Sequence, residues 1–129
     1  MNTDSRPTDD ATHELTGAIL GAAFAVSTEL GHGFLEAVYR RALVRELKSR
    51  NLLASEEVPF KVMYRDEVVG TYIADLVVQR QVIVEIKAVD TLTDAHKTQV
   101  VNYLRASGLR VGLLLNFGTA KLGYRRLLL

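Results

Sequence analysis

The stretch Thr71-Tyr72-Ile73-Ala74-Asp75-Leu76-Val77-Val78-Gln79-Arg80-Gln81-Val82-Ile83-Val84-Glu85-Ile86-Lys87 reads as two apolar, largely β-branched runs around a short polar turn. That pattern predicts a β-hairpin. Asp75, Glu85 and Lys87 are charges that a buried strand should avoid. Side chains alternate across a strand, so Glu85 and Lys87 share one face, while Val84, Ile86 and Ala88 share the other. If the turn closes on Gln79-Arg80-Gln81, Val78 faces Val82 and Asp75 falls opposite Glu85, and the two acids and the lysine converge. A two-residue turn would slip the pairing by one and send Asp75 to the other face. The apolar pattern is compatible with either register. In the first register, like charges oppose each other across the strands, which destabilises a sheet; a divalent cation would offset that. Magnesium takes one or two carboxylates and keeps several waters, and a lysine beside it can hold a phosphate or orient a nucleophilic water. The competing reading is an ion pair in which Lys87 neutralises Glu85 without a metal. It leaves one carboxylate uncompensated.

Upstream of the hairpin, Leu15, Ile19, Ala22, Ala23, Val26 and Leu30 recur at helical spacing and predict a helix from about Thr12 to Leu30. Gly17, Ala18, Gly21, Ala22 and Ala25 would let another element approach closely. This reads as a packed core helix or, alternatively, as the face of a homodimer. Gly31-His32-Gly33 ends it, because glycine accepts the left-handed cap conformation. A second helix is expected from about Leu35 to Arg50. Its apolar ridge is Leu35, Tyr39, Leu43 and Leu47, with Val38 and Ala42 beside it. Arg40, Arg41, Arg45, Lys48 and Arg50 make its other face basic, either as solvated surface or as phosphate contacts. Glu36 stands in the first turn, where the helix dipole favours a carboxylate. Val58, Phe60, Val62 and Tyr64 alternate with polar residues as a half-buried strand, and Arg65-Asp66-Glu67 is a turn.

Downstream, Thr91 or Thr93 caps a third helix, which Gly108 stops. Val100, Val101, Tyr103 and Leu104 are its expected buried residues. His96, Gln99 and Tyr103 lie along one side of it, His96 as a surface histidine. Val111 to Phe117 is apolar on both faces, as a central strand should be, and Tyr124 to Leu129 reads as an edge strand. The third helix joins two strands as a crossover, which makes those strands parallel neighbours. The expected fold is α/β, with helices flanking a mixed central sheet.

The whole chain sets the bounds. Its 129 residues, 48% hydrophobic, suffice for one domain with a core, expected over residues 11–129 after a disordered tail at 1–10. The absence of cysteine excludes a disulfide scaffold, a thiolate zinc site and a cysteine nucleophile. A net charge of +1 is no electrostatic footprint for nucleic acid. Met1 to Asp10 has no apolar signal core, and the apolar run Ala18 to Val26 is far shorter than the ~20 residues a bilayer needs. A cytoplasmic protein without a membrane partner is expected.

Taken together, these residues resemble the PD-(D/E)XK nuclease superfamily, and within it the small bacterial GxxExxY family. The naming motif stands as Gly33-Phe34-Leu35-Glu36-Ala37-Val38-Tyr39, the acidic pair and lysine as Asp75 and Glu85-Ile86-Lys87, and the glutamine segment as Gln99-Val100-Val101-Asn102-Tyr103-Leu104. The likeness covers nearly all of Glu14 to Leu128. Ala74 stands where the superfamily name has proline. The resemblance implies a restriction-endonuclease-like α-β-β-β-α-β core with an extra N-terminal helix. It implies a magnesium (or manganese) ion held by Asp75, Glu85, the Ile86 carbonyl and the helix-borne Glu36. Lys87 would act on the attacking water or the phosphorane charge, and Gln99 would be an auxiliary polar residue. Tyr39, Arg40, Asn102 and Tyr103 would face nucleic acid. The implied activity is hydrolysis of DNA phosphodiester bonds. The alternatives are a non-catalytic nucleic-acid-binding module that keeps the fold, and a structural oligomer built on the first helix.

Overall fold

The computed structural model describes residues 9–129 of the chain. The tail expected at 1–10 lies outside the described residues except for Asp9 and Asp10, which belong to the first helix. The elements run α1 (Asp9–Leu30), α2 (Glu36–Ser49), β1 (Ala54–Tyr64), β2 (Glu67–Val78), β3 (Val82–Lys87), α3 (Asp94–Ser107), β4 (Val111–Asn116) and β5 (Gly123–Leu128). The strands form a single sheet in sequence order. Only β3 and β4 are parallel, which follows from the α3 crossover between them; β1, β2 and β5 pair antiparallel. This is the restriction-endonuclease-like arrangement, a mixed sheet with helices on both sides.

The alternation of β3 sorts the layers. Val82, Val84 and Ile86 pack with Leu76, Val78, Leu113 and Leu115 against Ile19, Ala22, Ala23 and Val26 of α1 and Tyr39, Leu43 and Leu47 of α2. Ile83 points the other way and packs with Ala74, Val77, Tyr103 and Leu104. Glu85 and Lys87 follow Ile83 in phase, so they lie on the α3 side. Helix α3 comes close to β4 at Gly112, where a Cβ would meet Val100 Cγ1 at 2.6 Å. A larger residue there would force Val100 to shift.

The register resolves the ambiguity of the hairpin. Val78 pairs with Val82, Val77 with Ile83 and Leu76 with Val84. Gln79 and Arg80 take positive φ values of 53° and 58°, and Gln81 N–H closes the turn on Val78 O at 3.0 Å. The turn therefore spans Gln79-Arg80-Gln81, and the slipped register is excluded. At the far end of β2, Arg65 and Asp66 both have positive φ, 46° and 68°, and Tyr64 pairs with Glu67. That is a two-residue turn whose twist matches the strands, so Glu67 belongs to β2 and not to the turn.

Several expectations are corrected here. Leu35 is 79% exposed and Val38 39% exposed. Leu35 sits at the helix cap in extended conformation, ahead of the first turn that could press it onto the sheet. The buried ridge of α2 is thus Tyr39, Leu43 and Leu47 at fourfold spacing. Val101 is half-buried, turned aside from Val100 and Leu104. The cap of α3 is Thr93, not Thr91. The small residues of α1 are partly spent within the chain: Ala22 and Ala23 are fully buried, and Gly21 lies against the Arg50 guanidinium, which a Cβ would meet at 3.3 Å. Among the described residues no helix is long and apolar enough to cross a membrane.

Candidate active site

The ladder between β2 and β3 runs from Val78↔Val82 to Leu76↔Val84 and stops. At the next pair the acids take over from the backbone. Asp75 N–H donates to Glu85 Oε2 at 2.8 Å, and Ile86 N–H donates to Asp75 Oδ2 at 2.8 Å. Each carboxylate thus caps the backbone of the opposite strand where the two strands part. These bonds pin Asp75 and Glu85 side by side and use one oxygen of each. The acids are ten positions apart in sequence, and the turn register alone brings them together.

Glu85 is only 3% exposed. Burial first, and the neighbouring Asp75 charge second, push its carboxyl from 4.5 up to about 8; the Lys87 charge pulls the other way with the weakest effect. Lys87 is half-buried on the same side of β3. Among the described residues no ion pair joins it to either acid. The reading in which Lys87 alone neutralises Glu85 therefore lacks its contact. Two carboxyls with oxygens to spare are the hard donors that magnesium or manganese takes, and a cation there would counter both the burial and the Asp75 charge that push the Glu85 carboxyl up. The residues fit such an ion.

Helix α3 closes the site from above. Tyr103 is 7% exposed, and its ring meets Tyr72 edge to face at 5.1 Å. Burial, then the charge and hydrogen bond of Glu85, push its hydroxyl up to about 12. Gln99 lies one turn ahead of Tyr103, toward the carboxyl end of β3, because α3 returns from that end. Its Oε1 is buried and, among the described residues, has no partner. Asn102, beside Tyr103, borders a cavity. His96 is occupied locally: its Nδ1 accepts from Thr93 N–H at 3.0 Å, and its own N–H donates to Thr93 Oγ1 at 3.3 Å. This is a reciprocal helix cap.

The residues of α2 are placed differently. Tyr39 is fully buried and stacks on Phe117 at 4.6 Å. Its hydroxyl donates to Gly31 O at 2.7 Å and accepts from Phe34 N–H at 3.2 Å. A ring so enclosed cannot stack on a base, so the nucleic-acid contact expected of Tyr39 is corrected to an anchor for the α1–α2 connection. Arg40 bridges Glu56 at 3.4 Å and Glu57 at 3.3 Å, so its guanidinium is shared with acids and is not free for phosphate. Glu36 is exposed in the first turn of α2. Among the described residues no three His, Cys, Asp or Glu side chains gather as a ligand group, so Glu36 stands apart from the Asp75–Glu85 pair.

Sequence reading missed Asn116. It is 3% exposed and pairs with Lys87 across β3 and β4. Its Oδ1 accepts from Val89 N–H and Gly118 N–H, each at 3.0 Å, and its Nδ2 donates to Val89 O at 2.9 Å. It fastens the chain just beyond Lys87. The one available signal was a polar residue ending an otherwise apolar strand. Asn116→Ala strands these groups without partners, and urea unfolding should show a loss of about 1–3 kcal/mol. A neutral result would mean that water replaces the amide.

The sheet order, the parallel β3–β4 pair and the crossed acids define the class of restriction-endonuclease-like proteins. Residues 13–127 match the family model of the PD-(D/E)XK nuclease superfamily, and the chain belongs to that superfamily. Among solved structures, the crystal structure of SSO0001 is similar in fold, with 20% sequence identity and a TM-score of 0.55 over 90% of this chain. The chain spans 58% of the length of that structure. No curated protein matches the sequence.

Proposed function

We propose that the chain is a metal-dependent nuclease of the GxxExxY type that hydrolyses phosphodiester bonds in DNA. The observation that carries this reading is the crossed pair itself, in which Asp75 and Glu85 are locked side by side by each other's backbone with Lys87 on the same side. When bound, magnesium or manganese supplies Lewis acidity and lowers the pKa of its water. Asp75 and Glu85 hold the ion, with the Ile86 carbonyl beside them. Tyr103 keeps the Glu85 carboxyl oriented. The Lys87 ammonium orients the attacking water or balances the charge that builds on phosphorus. Gln99 supplies an amide above the site. In this reading residues 11–129 form one domain, which acts in the cytoplasm.

The test is a cleavage screen with magnesium and manganese over single-stranded, duplex, flapped and branched DNA and over RNA, with an Asp75 variant as the contamination control. Cleavage by the wild type alone supports the reading. No cleavage of any substrate leaves a binding module on a nuclease fold. Lys87→Ala should lower turnover by about two orders of magnitude, as loss of one preorganised charge does, with metal affinity nearly kept. Steady-state kinetics and metal titration separate the two effects. An unchanged turnover removes Lys87 from the mechanism.

A further inference from the structure

A cavity of about 440 Å³ lies between the β1–β2 hairpin and α3, bordered by Lys61, Met63 and Tyr72 on the sheet and Asn102 and Arg105 on the helix. Neither cation is spent inside the protein: among the described residues no ion pair involves Lys61 or Arg105. Both are exposed. Arg105 stands on the helix wall, and Lys61, next to the inward-facing Phe60 on the edge strand β1, stands at the rim. The rest of the lining is of another kind. Tyr72 and Met63 remain 39% and 55% exposed and offer an aromatic and a thioether surface, and Asn102 offers an amide with donors and an acceptor. The register shifts here: Val62 pairs with Gly70 and Met63 with Val68, so β2 carries one residue more than β1 at this point, an irregularity of the kind that re-aims a side chain.

We infer that this cavity is a subsite for an unpaired nucleotide flanking the scissile phosphate. Phosphate would sit on Lys61 and Arg105, the base would lie on Tyr72 and Met63, and the Asn102 amide would reach its edge. The volume falls in the range of small-ligand sites. The cavity adjoins the acids through one aromatic pair: Tyr72 touches Tyr103, and Tyr103 faces Glu85. A strand passing over Lys87 and the acids would thus continue into it. A base that is stacked and paired in a duplex cannot enter a concave site, whereas an unpaired one can turn out onto an aromatic ring. The subsite therefore points to substrates with a single-stranded segment next to the cut: free single strands, flaps or branch points. This inference rests on the nuclease reading for the position of the cut, but not for the binding.

The test uses fluorescence anisotropy in EDTA, with a labelled single strand and a blunt duplex of the same sequence. Lys61→Ala and Arg105→Ala should each weaken single-strand binding about tenfold at low salt and reduce the salt slope by about one. Tyr72→Ala should weaken it about tenfold through lost stacking. Duplex binding should change less in all three. Lys61 and Arg105 are exposed, so melting temperatures should confirm intact folds. A wild type with no preference for the single strand overturns the inference, as do variants that bind it like the wild type. The two readings fail separately. Weakened binding in the variants, with no metal-dependent cleavage by the wild type, sinks the nuclease and leaves the nucleotide pocket. Cleavage of single strands with unchanged KM in all three variants sinks the pocket and leaves the nuclease.

Discussion

Asp75→Asn should abolish metal-dependent cleavage, lowering turnover by roughly three orders of magnitude or more, while the protein stays folded. The amide is nearly isosteric with the carboxylate and keeps an oxygen for Ile86 N–H, which donates to Asp75 Oδ2 at 2.8 Å. It removes only the negative charge that a cation needs. Asp75→Ala is the poorer variant: it would leave the amide of Ile86, a residue 1% exposed, without an acceptor, at a cost of about 1–3 kcal/mol, and lost folding would then be mistaken for lost catalysis. Removing Asp75's charge also relieves Glu85 of its nearest like charge, so the metal-free variant should melt at or above the wild-type temperature near pH 8. Kinetics and thermal unfolding on the same preparation check both halves. Residual cleavage at the wild-type rate would mean that the nuclease activity lies elsewhere or belongs to a contaminant.

That variant could be chosen from the structure but not from the sequence. The sequence carried the meeting of Asp75 and Glu85, because a three-residue turn and strict alternation place them on one face, and the buried runs around them favour a sheet. It did not carry the parting of β2 from β3 at that point. Nothing in the pattern of Val77, Leu76 and Asp75 distinguishes a backbone ladder that continues from one in which side-chain carboxylates accept the N–H bonds. Apolar periodicity likewise found the ridge of α2, Tyr39 included, yet it counted Leu35, which the helix cap turns into solvent; the nucleic-acid contact expected of Tyr39 came with the family resemblance, and Phe117 covers its ring. Phe117 lies 78 positions downstream, on the far side of the crossover, and burial of that kind is a property of the assembled layers. Asn116 and the cavity between β1 and α3 escaped for the same reason. Each depends on which elements the sheet order sets side by side, and local spacing holds no record of that.

Glu85 offers the second large effect, in stability. In the metal-free protein its carboxyl is pushed from 4.5 up to about 8, by burial first and by Asp75 second. A group whose pKa is raised on folding binds its proton more tightly in the native state. Its contribution is therefore fully present below 4.5 and is lost as pH rises through 8. At ~1.4 kcal/mol per pKa unit the loss is on the order of a few kcal/mol, or about ten degrees in Tm for a chain of this size. Other groups titrate over the same range, so Glu85→Gln is the reference. It keeps an oxygen for Asp75 N–H and has no charge to bury. The Tm of the variant minus that of the wild type should grow steadily between pH 5 and pH 8.5 in EDTA. Millimolar magnesium or manganese should then close the gap from the wild-type side, because a ligand bound only by the native state stabilises it, and the same metal should leave Glu85→Gln nearly unmoved. A gap independent of pH would mean that Glu85 is already ionised and compensated within the protein. In that case the crossed acids would need no cation to offset their charge.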